Sequence, residues 1–113
     1  MPSGVPLDSL TDWGKSDWMM FAAATAMASG VSNEGVRDMF VDDVHAFMAN
    51  GMNPVPFSDK FFVENNGTAV AGGWNQYQAR PVVGGHFALM ALSGANQFQL
   101  GDISAPASYG KAK

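Results

Sequence analysis

Gln78-Ala79-Arg80-Pro81-Val82-Val83-Gly84-Gly85-His86-Phe87-Ala88-Leu89 places an arginine, a proline, a glycine pair and a histidine directly ahead of an apolar run. The proline keeps Arg80 extended, because its ring disfavours a helical residue before it. The glycines permit unusual backbone angles or a close approach to another element. The spacing predicts a short helix over about His86 to Leu92 with Gly94 as its stop. Working back from there, Trp74 to Ala79 reads as an extended return for a strand at Lys60 to Glu64, joined through the turn signal Asn65-Asn66-Gly67. Met52 to Ser58, with two prolines, is a loop.

Two longer helices precede that loop. Ser16 or Asp17 is a suitable N-cap for a helix to about Ser29, with Trp18, Phe21, Ala22, Thr25 and Ala26 at helical spacing and Gly30 as its stop. Ser32 or Asn33 opens a second, running to about Asn50. Val36, Phe40, Val44 and Phe47 form its apolar stripe, flanked by Met39 and Met48, and Gly51 ends it. Residues 1–15 read as an irregular lead-in. The expected fold class is mainly α: about three helices with a small β-hairpin or loop insert.

Composition narrows the functional classes. The chain has 113 residues, 47% of them hydrophobic and 14% charged, which suits one folded domain rather than a disordered segment. The net charge is −4 and the six basic residues are scattered, so no patch for nucleic acid is expected. There is no cysteine, which excludes disulfides, thiolate catalysis and cysteine-based zinc sites. Trp18 to Ala28, the most apolar stretch, is shorter than the roughly 20 residues that cross a bilayer. The first residues lack the basic and apolar regions of a signal peptide. Asn66-Gly67-Thr68 is an N-glycosylation sequon, with Asn66 as acceptor.

Several polar residues are candidates for chemistry. Asp12, Lys15 and Asp17 cluster before the first helix. Lys15 suits a substrate carboxylate, and Asp17 a substrate amine or a general base. Their structural alternative is a helix cap and a local ion pair. Ser58 and Asp59 sit in the proline-bounded loop, where a turn that satisfies local backbone is the plainer reading. Arg80 offers a fork for a carboxylate, either of a substrate or of a structural partner such as Asp59 or Asp17. Gly84-Gly85 offers either backbone donors for an oxyanion or tight helix packing. His86 suits proton transfer or a hydrogen-bonded structural role. Trp74 and Tyr77 can wall a ligand site or pack over the helices. Asp42, Asp43 and His45 make an acidic helix face rather than a metal set, so no metal or other cofactor is expected.

Lys15-Ser16-Asp17-Trp18, Pro56-Phe57-Ser58-Asp59 and Arg80-Pro81-Val82-Val83-Gly84-Gly85, in this order over residues 4–92, resemble the C-terminal end of the fungal glutaminase A family. The resemblance implies a partial α/α toroid of the six-hairpin, glycosidase-like kind. It implies residues 1–95 as a helical segment and 96–113 as a divergent, flexible tail. Complete members are several times longer, so the implied function is part of an amidohydrolase converting L-glutamine to L-glutamate and ammonia, inactive by itself. Lys15, Asp17, Asp59 and Arg80 carry over as the matching residues, without individual roles fixed by the resemblance; Asp17 and Asp59 are the catalytic candidates, and Lys15, Arg80 and His86 the substrate-binding ones. Two alternatives stand beside this. One is a non-catalytic binding or assembly module that associates with a helical partner, or with itself, through exposed apolar faces. The other is a carbohydrate-processing barrel relative, for which Asp17 and Asp59 are the only carboxylate pair in this segment. The family is largely secreted.

Overall fold

The computed structural model describes residues 3–28, 32–54 and 56–94. The element order is β1 (Trp13–Lys15), α1 (Ser16–Ala26), α2 (Glu34–Ala49), β2 (Lys60–Phe62), a 3₁₀ segment (Pro81–Phe87) and α3 (Ala88–Gly94). The mainly α class with a small antiparallel sheet is the one the patterning predicts. The expected tail from Asn96, and the proposed stop at Gly30, lie outside the described residues.

Helix α1 differs from expectation at both ends. It begins at Ser16 without a side-chain cap, the preceding Lys15 being extended. The cap comes from elsewhere: the Ser16 N–H donates to the Asp59 carbonyl at 2.8 Å. Ser16 and Asp17 are therefore released from capping and buried inside the first turn. The last turn tightens through Met27 N–H to Ala24 O and Ala28 N–H to Thr25 O, a common way to satisfy terminal carbonyls.

Helix α2 follows its local signals closely. The Asn33 side chain accepts from Val36 N–H at 3.1 Å, as an N-cap should. Gly51, at φ +77°, ends the helix in the left-handed conformation that glycine adopts without cost. Of the expected stripe, Val44 and Phe47 are buried and Val36 and Phe40 partly so.

The core lies where α1 meets α2. Met19, Met20, Ala23 and Met27 face Val44 and Phe47, with Phe61, Val63 and Leu89 closing the sides. Phe47 stacks on Phe61 at 3.8 Å between centroids and tilts against Phe57 at 5.4 Å. The small Ala23 is fully buried.

The sheet corrects one expectation. Strand β2 pairs antiparallel with β1, as Trp13↔Phe62, Gly14↔Phe61 and Lys15↔Lys60. The expected partner, residues 74–79, contributes an isolated bridge from Trp74 to Phe61. Nearby backbone bonds join Phe62 N–H to Gly73 O and Asn75 N–H to Lys60 O. Beyond them Gln76 and Ala79 adopt positive φ values of 69° and 52°, which break the extended backbone a ladder needs. The lead-in is thus the true strand partner, and it delivers Lys15 to the base of α1.

The last helical stretch also differs. It starts at Pro81, in 3₁₀ form, and becomes α-helical only at Ala88, with Gly94 inside its final turn. Pro81 suits the first helical position. The glycine pair and Val82-Val83 weaken the α-helical preference of this first part. None of the described helices is long and apolar enough to cross a membrane.

Candidate functional site

Strand β1 hands the chain to α1 at Lys15-Ser16-Asp17, and two distant segments close over that junction. The first is the loop Phe57 to Asp59. Its position is set by Ala79 N–H to Phe57 O at 2.8 Å and by Ser58 N–H to the Asn53 side chain at 3.1 Å. The Ser58 hydroxyl donates to Lys60 O at 2.9 Å, so it serves its own turn. The second segment is the 3₁₀ run from Pro81 to Phe87, which packs on α1.

Asp59 is fully buried. Arg80 donates to it twice, Nε to Oδ1 at 2.9 Å and Nη2 to Oδ2 at 2.5 Å. Lys15 Nζ lies 3.6 Å from Oδ2. Burial pushes the Asp59 carboxyl up, but the hydrogen bonds and charge of Arg80, with Lys15, outweigh it and hold the group below the usual carboxylate range. The same bonds push Arg80 further up. Tyr77 backs this fork, with the guanidinium carbon 4.3 Å from its ring centroid. Lys60 sits over Trp13 at 3.9 Å. Its burial, with Arg80 and Lys15 nearby, lowers its affinity for a proton despite Asp59.

Asp17 lies beside this pair. Its Oδ2 is 3.4 Å from Lys15 Nζ, while Oδ1 is buried with no hydrogen-bond partner among the described residues. A buried carboxylate oxygen without a donor is costly. Gly85 makes this packing possible: a Cβ there would stand 2.9 Å from both Asp17 Cβ and the Phe21 ring. The glycine pair therefore serves close packing between the 3₁₀ segment and α1.

His86 completes the cluster. Its Nε2 is 2.7 Å from the buried Ser16 hydroxyl, and Phe57 meets its ring edge-on. Burial lowers its pKa against the opposing pull of Asp17 and Asp59, which favours the neutral imidazole. His86 and Arg80 face a groove of about 550 Å³ whose other walls are Met48, Phe57, Ala79, Pro81 and Val83.

Lys15, Asp17, Asp59, Arg80 and His86 thus converge from three separate segments. Asp12 does not join them, because its carboxylate meets the Asn66 side chain instead. Asn66 is exposed at its turn, where its Oδ1 accepts from Thr68 N–H, Thr68 Oγ1 and Ala69 N–H. Asp42 and His45 are exposed on α2. Sequence reasoning missed Ser16 as the partner of His86, and Tyr77 as the platform under Arg80. The aromatic beside an arginine was a visible signal for the second; the first pair is separated by 70 residues and left none.

The profile of the glutaminase A six helical-hairpin domain matches residues 1–90, a span holding every member of this cluster. The chain belongs to this family. Among curated glutaminase relatives, it is 39% identical over 92 residues to glutaminase A of Aspergillus oryzae, covering 79% of this chain and 12% of that protein. It is 35% identical over 92 residues to a probable glutaminase of Arthroderma benhamiae, covering 81% of this chain and 10% of that protein. The chain therefore spans about a tenth of the length of these relatives. No solved structure matches it. The three helices form part of the glutaminase A six-hairpin architecture.

Proposed function

We propose that this chain is a segment of a glutaminase-like amidohydrolase and contributes one wall of the substrate pocket of the assembled six-hairpin domain. The supporting observation is the convergence of four charged or titratable side chains around Asp17, whose Oδ1 is buried with no hydrogen-bond partner among the described residues. In this reading Asp17 accepts a proton from the water that attacks the side-chain carboxamide carbon of L-glutamine. The bond from that carbon to the amide nitrogen then breaks, and the proton leaves with the amide nitrogen as ammonia. Lys15, 3.4 Å from Asp17 Oδ2, orients that carboxylate. Asp59, with both oxygens bonded to Arg80, anchors the site and takes no proton. Arg80 uses two of its five N–H donors on Asp59, and the remaining edge takes the substrate carboxylate.

A carbohydrate-processing role fits less well. It needs one carboxylic acid kept protonated and a second free carboxylate, whereas Asp59 is held deprotonated by its cations. A non-catalytic assembly role has an observation in its favour: Trp18, Phe21, Phe87 and Met90 are exposed on α1, the 3₁₀ segment and α3. Such a surface suits neighbouring helical hairpins.

The test is a segment swap. Residues of this chain replace the 92 aligned residues of the Aspergillus oryzae glutaminase A, and ammonia release from L-glutamine is followed. Hydrolysis by the folded swap supports the reading. A swap with native circular dichroism that binds glutamine but releases no ammonia favours the assembly role.

A further inference from the structure

The Ser16 hydroxyl is fully buried, and its one hydrogen-bond partner among the described residues is His86 Nε2 at 2.7 Å. Two proton arrangements fit that distance. In the first, Nε2–H donates to Oγ, and the hydroxyl proton is left without an acceptor in a site closed to water. In the second, the hydroxyl donates to an unprotonated Nε2 and both groups are satisfied. An orphaned buried donor is disfavoured strongly enough to decide between them. The second arrangement puts the ring proton of the neutral imidazole on Nδ1. Nδ1 has no protein partner among the described residues, yet it is not among the buried unpaired atoms. It therefore keeps solvent access, on a residue that lines the groove with Arg80.

We infer that Ser16 is a positioning residue that locks His86 as its Nδ1–H tautomer, so that the ring presents a hydrogen-bond donor beside the Arg80 guanidinium to a substrate carboxylate. Two adjacent donors, one cationic and one neutral, match the two oxygens of such a group. The neutral ring adds direction without a second charge beside Arg80 and Lys15. The substrate half of this inference rests on the glutaminase reading; the tautomer half rests on Ser16 and His86 alone.

Two-bond ¹H–¹⁵N NMR on the 113-residue chain reads the tautomer directly, and only His45 and His86 contribute. At neutral pH the expected spectrum shows His86 with an unprotonated Nε2 and a protonated Nδ1. A protonated Nε2, or the averaged pattern of a free imidazole, overturns the inference. Ser16→Ala is expected to release His86 into the averaged pattern, and Ser16→Thr to retain the single tautomer. The wild-type spectrum decides even where a variant fails to fold. In the segment-swapped glutaminase, Ser16→Ala is expected to raise KM for glutamine about tenfold, with a smaller effect on kcat, through the loss of one well-aimed bond to a charged group. An unchanged KM overturns the substrate half. The spectrum reads out whether or not the swap hydrolyses glutamine, so failure of the functional reading is distinguishable from failure of this one.

Discussion

Arg80→Leu removes the fork that neutralises Asp59 while leaving that carboxylate fully buried. Breaking a buried ion pair from one side costs about 3–5 kcal/mol, because a charge is left uncompensated. Two features of the structure pull the value to the lower end. The Arg80 side chain is 31% exposed and so partly screened, and Lys15 remains 3.6 Å from Asp59 Oδ2. We expect a loss of about 3 kcal/mol at pH 7, or about 12–20 °C in Tm for a domain of this size. The assay is urea or thermal unfolding followed through Trp13, Trp18 and Trp74. The pH dependence sharpens it. In the wild type the folded carboxyl lies below its unfolded value of 3.8, so its contribution is present above that value and is lost as pH falls through the lower, folded one. In Arg80→Leu, burial dominates and raises the folded carboxyl instead, so the variant regains relative stability as Asp59 protonates. The difference between the proteins is therefore largest at neutral pH and shrinks on acidification. Adding Asp59→Asn to Arg80→Leu removes the stranded charge and should recover at least about 1 kcal/mol. A loss below about 0.5 kcal/mol at pH 7, typical of an unimportant surface change, or one that does not vary with pH, refutes the reasoning.

Three further outcomes follow from packing and turn chemistry. Gly85→Ala places a Cβ 2.9 Å from Asp17 and Phe21 and should cost about 1–3 kcal/mol by overpacking; Gly84→Ala meets nothing within 4 Å and should be neutral or slightly stabilising in the same denaturation assay. Phe47→Ala empties the stack between Phe57 and Phe61 and should cost about 3–5 kcal/mol, read as a shift of the urea midpoint at constant slope. Asn66→Ala removes one acceptor shared by Thr68 and Ala69 and should cost about 1 kcal/mol at this exposed turn, with amide exchange accelerating at those two residues.

Helices α1 and α2 were legible as helices because their information is local: apolar residues at helical spacing, and for α2 an asparagine cap with a glycine stop. The face of α1 was misread, since Trp18 and Phe21 are exposed while Met19, Met20, Ala23 and Met27 are buried. Strand β1 was not, since Trp13-Gly14-Lys15 is too short to show alternation and its partner lies far along the chain. The 3₁₀ character of Pro81 to Phe87 was hidden too, because proline and glycine announce a break without saying how tightly the backbone winds. The site was readable as residue types and motifs, not as geometry. Arg80 was expected either on a substrate or on a structural carboxylate, and three-dimensional packing places its fork on Asp59. Ser16 or Asp17 was expected as the cap of α1, with a pocket role as the alternative for Asp17, but no side chain caps this helix and the Asp59 carbonyl accepts the Ser16 N–H; Asp17 Oδ2 meets Lys15 while Oδ1 has no partner among the described residues. No local pattern records such a substitution of one partner for another.

The most direct test of the account is kcat for L-glutamine hydrolysis by the segment-swapped glutaminase with Asp17 intact and with Asp17→Asn. The account predicts that the asparagine variant stays folded and loses about 10²–10⁴-fold in kcat, the range expected for removal of a general base. A folded Asp17→Asn enzyme with unchanged kcat would show that the Asp17 carboxylate takes no part in the chemistry.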